Sequence, residues 1–68
     1  MDLNEMKNNM VDEMKKQGAS ESVINWAKSF LKTSNQIKQM MTYLISIREQ
    51  HVPQGKIIEM IDNIAKGD

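Results

Sequence analysis

Apolar residues recur along this chain at steps of three and four, the period of helices buried on one side, and nowhere alternate as a half-buried strand requires. Leu3, Met10 and Met14 fall nearly in line, with Met6 and Val11 beside them. Val23, Ile24, Ala27, Phe30 and Leu31 make one compact stripe, and Trp26 lies well to one side of it. Ile37, Met41, Leu44, Arg48 and His51 mark a third line, flanked by Met40 and Ile47 on one side and Ile45 on the other, with Tyr43 further round. Ile57, Ile58, Met60, Ile61, Ile64 and Ala65 form a fourth, broad face.

Start and stop signals divide these stripes. Asp2 and Glu5 open the first and Lys15 and Lys16 close it, charges that suit the helix dipole, before Gly18 supplies a left-handed stop. Ser20 is a good N-cap for the second. Thr33 and Gln36 have capping-box spacing for the third. Pro53 ends that helix and suits the first turn of the fourth. The prediction is an all-α fold, a small bundle of four short helices over about 2–17, 20–32, 34–50 and 53–66, forming a single helical domain from residue 1 to 68. Asp12 with Lys16 and Asp62 with Lys66 have the i,i+4 spacing of supporting ion pairs, each worth about 0.2–0.5 kcal/mol.

Composition refines this picture. Sixty-eight residues without a cysteine gain nothing from disulfides, so stability rests on packing, self-association or a partner. Eight Ile and seven Met against one Trp, one Tyr and one Phe give an aliphatic and thioether core that adapts readily. Nine basic and nine acidic residues cancel, and a cut after Ser34 leaves five of each before it and four of each after it. Neither half is an electrostatic magnet for phosphates, which argues against non-specific nucleic-acid binding as the main function. Lys outnumbers Arg eight to one and Ile and Asn are plentiful, the usage of AT-rich codons and so of a low-GC bacterium or its phage. No leader-like opening or membrane-spanning apolar run occurs, so the expectation is a cytoplasmic protein without a membrane partner.

Candidate chemistry is sparse. His51 is the single imidazole, placed near the end of the third helix, where it suits the last carbonyls better than it suits catalysis. Ser20, Glu21 and Ser22 bring a hydroxyl and a carboxylate together but in the pattern of a helix start. Gly18, Gly55 and Gly67 have no phosphate-loop spacing. The expectation is therefore no enzyme, no metal and no cofactor.

Surfaces remain. Met6, Met10 and Met14 form a stripe that is either the core face of the first helix or a plastic surface shared with another chain. Trp26 and Tyr43, both off the centres of their stripes, are lids over the core edge or interface anchors. The leading expectation is a small protein-interaction module, a regulator or inhibitor of bacterial, phage or mobile-element origin. It binds a protein partner and self-associates as a homodimer. The alternative is a helix-turn-helix DNA binder built on the second and third helices, with Asn35, Gln36, Lys38, Gln39 and Thr42 facing the bases.

Overall fold

A computed structural model describes residues 2–67 and contains four α-helices, α1 (Leu3–Lys16), α2 (Glu21–Phe30), α3 (Ser34–Ser46) and α4 (Gln54–Gly67), with no strand among the described residues. The fold is the all-α bundle that the apolar periodicity predicts. Each of the first three helices begins on a local cap. Asp2 Oδ1 accepts from Glu5 N at 2.9 Å, and Ser20 Oγ accepts from Val23 N at 3.4 Å. Thr33 Oγ1 accepts from Gln36 N at 3.1 Å while Gln36 Oε1 accepts from Thr33 N at 3.0 Å, which closes the capping box.

The end of α1 is equally local. Ala19 N donates to Met14 O at 2.9 Å and Gly18 N to Lys15 O at 3.0 Å, the paired bonds of a Schellman motif, with Gly18 at φ +82°. Gln54 then reaches this turn from the start of α4. Its amide accepts from Ser20 N at 3.1 Å and donates to Gly18 O at 3.3 Å.

Two helices end earlier than their periodicity predicts. α2 was expected to reach Lys32 but stops at Phe30, because the Lys32 and Thr33 amides both donate to Gln36 Oε1, at 2.7 and 3.0 Å, and are lost to α2. α3 was expected to reach Gln50 but stops at Ser46. Beyond it the backbone tightens into three-residue turns, with Arg48 N donating to Ile45 O and Gln50 N to Ile47 O. Arg48 therefore leaves the turn sideways, and His51 lies exposed in the link instead of at the helix terminus.

The buried faces are also narrower and slightly rotated. The buried apolar residues of α3 are Ile37, Met40 and Leu44, continued by Ile47 at its C-cap, with Met41 only half-buried, so the centre of the stripe lies where a flank was expected. Phe30, expected in the core, is exposed, and α4 fully buries only Ile57, Ile61 and Ile64 of its six apolar positions. Neither i,i+4 ion pair forms. Asp12 and Lys16, and Asp62 and Lys66, stay beyond ion-pair distance, and the short intrahelical pair is Lys56 with Glu59 at 3.9 Å.

The four helices sit at the corners of a square. α1 packs on α3 and α2 on α4, and the square is closed by α1 on α2 and α3 on α4, while no Cα of α2 comes within 8 Å of α3. A radius of gyration of 10.7 Å matches the roughly 11 Å of a well-folded chain of this length. Met10, Met14, Leu31, Ile37, Met40, Leu44 and Ile61 fill the centre with no exposed surface to speak of. Fully burying such side chains contributes about 1.5–3 kcal/mol each.

Candidate partner-binding surface

Trp26 is carried on the side of α2, where Val23, Ile24 and Ala27 point into the core and leave it at the rim. One turn later Phe30 lies beside it, the ring centroids 4.9 Å apart and the planes tilted by 38°. The pair is held to α4 by a hydrogen bond in which Trp26 Nε1 donates to Asp62 Oδ1 at 2.9 Å. Even so, Trp26 keeps 41% and Phe30 46% of their surfaces in solvent, so the pair is fixed at one edge and a little under half exposed. Trp26 was legible in the sequence as an off-stripe aromatic. Phe30 was assigned to the core and Asp62 to a helix ion pair, and the carboxylate comes from 36 residues away, beyond any local signal.

The other expected contact residues separate. Met10 and Met14 are fully buried within a single chain, so these two belong to the core and need no second copy to cover them. Met6 is half-buried and, with Asn9, Ser34, Ile37, Lys38 and Met41, lines an open groove of about 500 Å³ between α1 and α3. Tyr43 is half-buried against the core and borders a shallow depression with Gln39, Thr42, Ser46 and Met60. It does not meet Trp26, whose ring partner is Phe30.

The residues expected to face DNA have mixed roles. Gln36 is buried and its side-chain oxygen is taken by two backbone amides. Thr42 Oγ1 donates to Lys38 O of its own helix at 2.9 Å. Asn35, Lys38 and Gln39 are exposed on α3. Since α2 does not pack beside α3, the two helices lack the crossed arrangement by which a helix-turn-helix seats its second helix in a groove.

One polar cluster escaped the sequence reading. Glu13, on the edge of the methionine stripe of α1, is buried, and Arg48 closes on it with both prongs, Nε to Oε2 at 3.2 Å and Nη2 to Oε1 at 2.9 Å. Gln17 Nε2 donates both to Glu13 Oε2 at 2.8 Å and to Leu44 O at 2.7 Å, which fastens the end of α1 to the end of α3. The Arg48 guanidinium, and after it the Gln17 amide, hold the Glu13 carboxyl down to about 2 against the upward push of burial. The same pairing raises Arg48 above its usual value. Both Glu13 oxygens are thus engaged within the chain.

Among the described residues no group of three or more His, Asp and Glu side chains converges on a point where a metal ion would sit. No helix of the described residues is long and apolar enough to cross a membrane. The chain matches no protein-family model, no curated protein and no solved structure, so the functional reading rests on its own geometry.

Proposed function

We propose that this protein is a small non-catalytic interaction module that acts by binding another protein through the α2–α4 face around Trp26. The observation that carries this reading is the exposed Trp26–Phe30 pair, held in place by Asp62 on a bundle whose core is already closed. Large aromatics fixed in one rotamer lose little entropy on binding and dominate interface energetics. Trp26 keeps 41% and Phe30 46% of their surfaces in solvent, area that a partner can cover.

Less supports a helix-turn-helix DNA binder, since Gln36 is used in capping and α2 and α3 occupy opposite corners of the square. The test starts from the immobilised protein and an extract of its native source, followed by titration of the purified pair. Trp26→Ala and Phe30→Ala are each expected to weaken binding by about tenfold or more while helicity is retained. Unchanged affinity, with only a lower melting temperature, sinks the proposal.

A further inference from the structure

We propose that Trp26, Phe30 and Asp62 together form a receptor for an arginine side chain presented on the surface of a protein partner. The inference rests on the reading that the α2–α4 face is the binding face and names the chemistry of its occupant. Charge complementarity carries it. Asp62 accepts from a neutral donor, the indole N–H, and neither Lys66 one turn away nor any other cation of the described residues comes within 4 Å of it. A carboxylate with no cation on it thus lies at the edge of the part-exposed indole, with the Phe30 ring beside it.

Aromatic faces attract cations, and the indole does so best. Of the two common cations, arginine matches this arrangement. Its flat guanidinium stacks on a ring while its in-plane N–H groups donate outward to a carboxylate at the ring's edge, whereas an ammonium is a point charge that cannot lie flat on the one and fork to the other. The receptor is pre-organised, because the indole is pinned by its own hydrogen bond and both helices are anchored in the core through Ile24, Ala27 and Ile61.

The chain has one tryptophan, so the indole N–H gives one resonance in a nitrogen–proton correlation spectrum. The full-length protein is titrated with three acetylated helical peptides that differ at one surface position, carrying arginine, lysine or citrulline, the last having the shape of arginine without its charge. The arginine peptide is expected to shift the indole resonance saturably and to bind about fivefold tighter than the citrulline peptide, the scale of one exposed cation–π contact with its ion pair. Asp62→Asn, which keeps an acceptor for the indole, is expected to remove that advantage with helicity unchanged. Equal shifts with arginine and citrulline, an advantage that survives Asp62→Asn, or no shift at millimolar peptide overturns the proposal. If arginine selectivity is absent while partner binding still needs Trp26, the interaction-module reading stands and the arginine receptor alone falls; if partner binding is also indifferent to Trp26, both fall.

Discussion

Glu13 and Asp62 perform similar mechanical tasks on opposite sides of the bundle, yet their charges have different fates. Each is a carboxylate that ties one pair of helices together, α1 to the end of α3 and α2 to α4. Glu13 is buried, and a guanidinium and an amide consume it. Asp62 is partly exposed and meets an uncharged indole, which uses one lone pair and neutralises nothing. Burial demands that a charge be matched inside the fold; at the rim the same functional group is free to keep its charge for another molecule. The first carboxylate is therefore read as structural and the second as available.

The comparison breaks most easily at Glu13. Arg48→Met leaves a buried carboxylate short of its donors and is expected to lower stability by about 1–3 kcal/mol, read from urea unfolding at neutral pH. A loss no larger than that of Asp62→Asn would remove the distinction between the two sites. Acid should expose the same asymmetry. Because the folded Glu13 value of about 2 lies below its ordinary 4.5, its contribution is fully present above about pH 4.5 and drains away as the pH falls toward 2. Glu13→Gln is expected to flatten that part of the profile of unfolding midpoint against pH, while Asp62→Asn leaves it steep.

A smaller, charge-free change calibrates both. Gly18 sits at φ +82° with open space where a Cβ would go, so Gly18→Ala meets backbone strain alone and is expected to cost about 1 kcal/mol. That cost should be the same at pH 3 and pH 7. The smallest effect is expected from Asp62→Asn itself, within about 0.5 kcal/mol, as for most exposed substitutions. A loss above 1 kcal/mol would move Asp62 into the structural class with Glu13.

What the sequence revealed and what it hid divide along the range of the interactions. Helix starts were legible because Asp2, Ser20 and the Thr33–Gln36 box each act within three residues. The Gly18 stop was legible for the same reason. The end of α3 was not, since the periodicity continues through Arg48 while the structure diverts that residue to Glu13, 35 positions earlier. Gln17 and Gln54 carry no local signal, yet their amides hold backbone groups 27 and 34 residues away, and Gln36, legible as a cap for α3, also ends α2. Trp26 announced itself by its angle on α2, but the carboxylate that gives its face a charge preference came from α4.

The square of helices has a consequence for how the chain reaches its fold. Its two most extensive interfaces, α1 with α3 and α2 with α4, interleave along the chain, so neither is a hairpin of consecutive helices. Cutting at residue 32 or 33 would give two pieces that each hold one partner of both interfaces and the complete pair of neither. Loop closure must therefore precede most of the burial, which slows folding relative to an up-and-down bundle of equal size. The same interleaving couples the two halves, so the rim bearing Trp26 and the buried Glu13 clasp are expected to melt in one transition.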